Sequence, residues 1–129
     1  MRIARIFFLL LVCASISFPQ ENLKQRVRAY RAANEHRILQ EFVDLLSIPN
    51  VAADRENIRR NAAFIMQMMG KRGIVTRLLE HEQPEAPPVV YGELKTPGAT
   101  QTIMLYCHYD GQPADSTKWV NSKPWKPVL

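Results

Sequence analysis

Thr102-Ile103-Met104-Leu105-Tyr106-Cys107-His108-Tyr109-Asp110-Gly111-Gln112-Pro113 passes from a short apolar run straight into a polar loop. The first half holds neither Gly nor Pro and predicts a buried strand over residues 102–107, with the polar motif at its carboxyl end. Side chains alternate along a strand, so His108 and Asp110 are expected on one face with the carboxylate beside the imidazole. In open α/β sheets the ligand crevice lies outside the carboxyl ends of the strands. A histidine becomes a good metal ligand when a hydrogen bond fixes one ring nitrogen and leaves the other free to coordinate. Taken alone, a His-x-Asp triplet is common by chance, so its weight comes from what surrounds it.

Upstream, Thr96-Pro97-Gly98 predicts a tight turn leading into that run, 89–94 a strand, 81–88 a proline-rich loop and 74–79 another strand. Before them, Asp54 is a candidate N-cap for a helix in which Ile58, Ala62, Ile65, Met66 and Met69 build one apolar face, stopped by Gly70 and Gly73. Earlier still, the stretch from Leu23 to Leu46 predicts a long helix, with Ile38, Leu39, Phe42, Leu45 and Leu46 on a common face and Pro49 beyond its end. The order of elements is that of an α/β domain: two amino-terminal helices, then strands of a mixed sheet. Met66, Met68 and Met69 could be pictured as a soft metal site, but thioethers at helical spacing usually fill cores. His36, among charged helical residues, and His81, in the loop, each lack a paired ligand at useful spacing and read as solvated. No internal repeat or low-complexity tract is present.

With its continuation Ala114-Asp115, Trp119 and Lys123-Pro124-Trp125-Lys126-Pro127-Val128-Leu129, the motif resembles the aminoacylase, carboxypeptidase and carnosinase-type dipeptidase family of dinuclear zinc hydrolases, metallopeptidase family twenty. Gly111-Gln112-Pro113 and the downstream Trp look most like its dipeptidase branch. Phe42-Val43-Asp44-Leu45-Leu46-Ser47-Ile48-Pro49 is similar to the family's first helix and closing loop, and Pro88-Val89-Val90-Tyr91-Gly92-Glu93-Leu94 to the strand before the metal strand. The resemblance covers roughly residues 35–129 and implies part of a zinc-peptidase catalytic domain. It gives His108 the role of ligand to one of two zinc ions and Asp110 that of the carboxylate orienting it. The bridging Asp, the Glu base with its neighbouring Glu ligand, a further carboxylate and a late His lie downstream in the family. This chain is therefore expected to be an amino-terminal piece of a longer enzyme, with little tight zinc binding of its own. Trp119 and Trp125 are expected to cover the edge of the site.

The implied reaction is cleavage of the amide bond of a dipeptide or N-acylated amino acid by water activated between two zinc ions. The substrate is thus a small peptide or N-acyl amino acid, and a homodimeric complete enzyme is an arrangement the resemblance allows. Two readings from other classes stay open: a non-catalytic secreted binding module that keeps the amino-terminal fold, and an inactive truncated product.

The first segment reads as an address. Met1-Arg2-Ile3-Ala4-Arg5 is a positive start, 6–12 is uninterrupted apolar sequence, and Cys13, Ala14, Ser15 and Ser17 are small. That is the layout of a secretory signal peptide over residues 1–17, leaving 18–129 as the mature domain in a secreted or periplasmic location. Cleavage after Ser15 or Ser17 satisfies the small-residue rule. The run is far shorter than the ~20 residues of a bilayer span, so no stable membrane span is expected. Lipidation at Cys13 is the lesser reading, since Val12 fills a place where a small residue is usual. Removal of Arg2 and Arg5 takes the formal charge from +5 to +3. Glu21, Glu35 and Glu41 are interspersed with Arg26, Arg28, Arg31 and Arg37 and no aromatic stacking series accompanies them, so a solvated face is favoured and no nucleic acid partner is expected. Cys107 would be the one cysteine left, read as a small buried residue rather than a nucleophile.

Overall fold

The structure, a computed structural model, describes residues 22–83 and 85–128; the expected signal peptide and Cys13 lie outside them. The chain divides into an amino-terminal unit, residues 1–35, and a second unit from His36 onward that holds every element discussed below except the start of the first helix. That helix, α1, spans Leu23–Leu46 as its periodicity predicts, and Ser47 prolongs its last turn through the hydrogen bond of its amide to the Val43 carbonyl at 3.0 Å. None of its residues is buried, and Ile38, Leu39, Phe42 and Leu46, expected to form an inward face, are exposed.

The second helix, α2 (Arg55–Gly70), begins where Asp54 predicts. The Asp54 carboxylate accepts from the Asn57 amide at 3.1 Å and from the Asn57 side chain at 2.7 Å, which satisfies one of the amide groups a helix start leaves without a partner. These bonds, the side-chain one foremost, hold the Asp54 carboxyl below its ordinary value. Past Gly70 the chain turns back through Gly73 at φ 74°, a left-handed conformation that a residue with a Cβ resists.

Two strands follow, β1 (Val75–Leu79) and β2 (Val89–Glu93), each within a residue of its expected bounds. They pair antiparallel from Val75 opposite Glu93 to Leu79 opposite Val89, with the Arg77 guanidinium over the ring of its partner Tyr91 at 4.9 Å. Helix α2 lies on this pair of strands. Its buried side chains are Ile58, Asn61 and Ala62, at 1%, 2% and 0% exposure. Met69 comes so close to β2 that a Cβ on Gly92 would stand 2.1 Å from its terminal methyl and 2.9 Å from Ile74, so glycine is what lets helix and strand meet there. The methionine acts as core filling, as its spacing implies. At the far end of β1, Arg59 on α2 grips Glu80 through two hydrogen bonds of 2.9 and 3.0 Å.

Among the described residues the architecture is thus a small α/β arrangement of two helices and a two-stranded sheet. The sheet is antiparallel where a mixed one is expected, and the parallel contact among the described residues is an isolated bridge between Val51 and Gly111. The larger correction falls on residues 102–107. They join no ladder, and Ile103, Met104, Leu105 and Tyr106 are 85%, 88%, 86% and 80% exposed. After the turn closed by the Ala99 amide on the Thr96 carbonyl, no strand edge meets this run, and apolar composition alone does not make a strand without one. Cys107 is exposed for the same reason, against the expectation of burial. Among the described residues no helix is long and apolar enough to cross a membrane.

Candidate functional site

The loop that carries His108 and Asp110 is held from below by a relay of amides. Asn61, in the buried face of α2, donates from Nδ2 to the Pro49 carbonyl at 2.7 Å and to its own helix at the Asn57 carbonyl at 2.9 Å. A buried amide without partners would be costly, and these bonds turn it into an anchor for the chain leaving α1. The next residue, Asn50, meets the motif loop with both backbone and side chain. Its carbonyl accepts from the Gly111 amide at 2.7 Å, and the Ala52 amide returns a bond to the Gly111 carbonyl at 3.1 Å. Its side-chain Nδ2 donates to the Tyr109 carbonyl at 3.3 Å, while its Oδ1 accepts the Trp125 indole N–H at 3.2 Å. A Cβ at Gly111 would lie 3.0 Å from both of these side-chain atoms, so the loop can approach this closely through glycine. Trp125 itself sits at φ 55°, in a tight turn closed by the Lys126 amide on the Lys123 carbonyl at 3.0 Å.

Tyr109 is held at both ends. Its carbonyl faces Asn50 and its hydroxyl donates to the Pro88 carbonyl just before β2. Burial, and secondarily the charge of Asp110, push its hydroxyl pKa up, so it stays a donor across the neutral range.

The residues on either side of Tyr109 bring their side chains together. His108 Nδ1 lies 3.0 Å from Asp110 Oδ1, and His108 Nε2 lies 3.2 Å from the Tyr106 hydroxyl. The Tyr106 and His108 rings meet edge-on at 5.4 Å between centroids and 76° between planes. An ionised carboxylate only accepts, so in the neutral imidazole Nδ1 carries the proton and Nε2 presents its lone pair to the tyrosine O–H. The two side chains lie on one face of the chain with the carboxylate beside the imidazole, the geometry expected from strand alternation even though no strand forms. Both side chains are open to solvent, at 70% and 37%.

Such a pair fits one ligand of a zinc site together with the carboxylate that orients it. A catalytic zinc takes about three protein ligands. Among the described residues no group of three or more His, Cys, Asp or Glu could hold a metal ion, so His108 does not have a complete donor set around it. His36 and His81 are exposed and neither completes a metal-holding group among the described residues, and His81 Nδ1 accepts from the Gln83 amide at 2.9 Å. Trp119 is exposed in the loop after the short 3-10 turn Ser116–Lys118, whereas Trp125 contacts the residue that holds the motif loop.

Asn50 and Asn61 went unread as parts of the site in the sequence, and Tyr109 and Gly111 were read in the motif without the supporting roles they have here. Two of them left a signal. Tyr109 stands between two residues expected to share a face, so alternation sends it the opposite way; Asn61 interrupts the apolar face of α2, where a buried amide must find a partner. Asn50 left none, because its role depends on residues 59 and 75 positions away. Comparison of the chain with protein families, with curated proteins and with solved structures finds no match.

Proposed function

We propose that this chain supplies the His-x-Asp part of a zinc-dependent amide hydrolase acting on dipeptides or N-acylated amino acids, in an exported protein. The observation that carries the reading is the contact of His108 Nδ1 with Asp110 Oδ1 at 3.0 Å, in a loop whose residues resemble the metal motif of the zinc peptidases. When bound, zinc lowers the pKa of its water and polarises the substrate carbonyl. The chain's own contribution is positional. His108 offers Nε2, Asp110 keeps the proton on Nδ1, and Tyr109 fixes the backbone between them. Tyr106 must give up its hydrogen bond to Nε2 for that nitrogen to coordinate. The remaining ligands and the general base are to come from residues other than those described.

The test is hydrolysis of a panel of dipeptides and N-acyl amino acids by the protein isolated from its own source, with metal analysis of the same samples. Activity should track zinc. His108→Ala should lose both, while Asp110→Asn, which keeps the size and one acceptor but not the charge, should retain most of the zinc and lose about 10 to 100-fold in turnover. A zinc-loaded, folded protein that cleaves nothing in the panel overturns the reading and favours a non-catalytic binding module. Equal loss of zinc in both variants would overturn the division of roles.

A further inference from the structure

We infer that Asn50 is a positioning residue for the His108–Asp110 pair. Its side chain and backbone join three parts of the chain that meet at this place. Its backbone lies beside Gly111, its Nδ2 binds the carbonyl of the residue between His108 and Asp110, and its Oδ1 binds the Trp125 indole. Behind it, the Asn61 contact to Pro49 ties this arrangement to the most buried part of α2. The pair is open to solvent, and beyond the edge-on contact and hydrogen bond of His108 with the equally exposed Tyr106 little packing holds it. An exposed histidine and aspartate two residues apart can turn independently about their backbone. What keeps them facing each other is the fixed peptide between them, and Asn50 together with the Tyr109 hydroxyl fixes it. An amide side chain suits this place because it donates to one carbonyl while accepting from an indole, which neither a carboxylate nor a hydroxyl of the same reach does in the same geometry. The use of this device in hydrolysis rests on the zinc reading above; its effect on the imidazole does not.

The experiment reads the imidazole directly, without metal or substrate. In the chain labelled with nitrogen-15, the ring nitrogens of His108 report the balance between its two neutral tautomers. The unaltered chain should show an excess of the form protonated at Nδ1. Asn50→Ala should reduce that excess by roughly fivefold, the effect of about one net hydrogen bond, and shift the Trp125 indole signal. Asn50→Asp, nearly the same shape, keeps the acceptor for Trp125 but loses the donor to Tyr109. It should therefore leave the indole signal near its place and still shift the tautomer balance. The methyl signals of Ile58 and Ala62 show whether α2 stays packed, and should Asn50→Ala unfold, Asn50→Asp decides alone. A packed variant with His108 signals unchanged overturns the inference. A shifted balance in a protein that hydrolyses no amide would leave the inference standing and remove only the zinc reading.

Discussion

The layer formed by α2 on β1 and β2 and the run over residues 102–107 are both apolar by sequence, yet one is packed and the other lies open. The helix satisfies its own backbone and needs only a surface to cover. A strand owes every second amide and carbonyl to a neighbour elsewhere in the chain. β1 and β2 find each other across a short loop, and α2 closes one face of the ladder at Ile58, Ala62 and Met69. The run after Ala99 has the same composition but no such edge. Burial here is decided by who stands opposite, and composition is only a precondition.

The comparison is broken most sharply by matched truncations. Ile58→Ala should destabilise the chain by about 2–5 kcal/mol, whereas Leu105→Ala should change stability by no more than about 0.5 kcal/mol. Urea unfolding followed by circular dichroism measures both. A large loss at Leu105 would mean that the run is paired in solution. Next in size is Gly92→Ala, whose added methyl overlaps the terminal carbon of Met69 and forces that flexible side chain aside, at about 1–3 kcal/mol. Trimming Met69 to Ala in the same chain should relieve part of the overlap. If Gly92→Ala melts like the unaltered chain, the helix does not sit as close to β2 as described.

These differences follow what could be read beforehand. The bounds of α1 and α2, the Asp54 cap, the turn at Gly73 and the two strands are written in neighbouring residues, because capping, helical spacing and alternation act within a few positions. The contact between His108 and Asp110 was legible for the same reason, being two residues long. The openness of 102–107 and of α1, and the part played by Asn50, were not. Each depends on distant segments, about which local pattern carries no information.

Smaller effects sharpen the packed side of the comparison. The hydrogen bonds from Asn57 lower the pKa of Asp54 in the folded chain, so the charged cap stabilises α2 fully above the ordinary aspartate range. That contribution is lost as the pH falls through the lowered value. Asp54→Ala should therefore melt below the unaltered chain at neutral pH, with the gap closing in acid; a gap that widens in acid would reverse the assigned sign. On the open side, Cys107 should react with a thiol reagent in the native chain about as fast as in urea, with no change in melting. Strong native protection would show that residues 102–107 are covered.

The hydrogen bonds of Asn50 span 59 and 75 residues of chain, whereas β1 joins β2 across the loop between Leu79 and Val89. Closing a loop becomes entropically dearer with its length, by about 0.6 kcal/mol per doubling. Contacts that span little sequence form early. We therefore expect α2 and its hairpin to assemble first and the clamp around Gly111 to close last, so that an early folding species would hold native helix and ladder while His108 still turned freely. The same order should govern opening. In amide exchange, the Gly111 N–H should be released at a lower free energy than the amides of α2 around Ile58, marking the candidate site as ordering later and loosening sooner than the helix and hairpin that carry it.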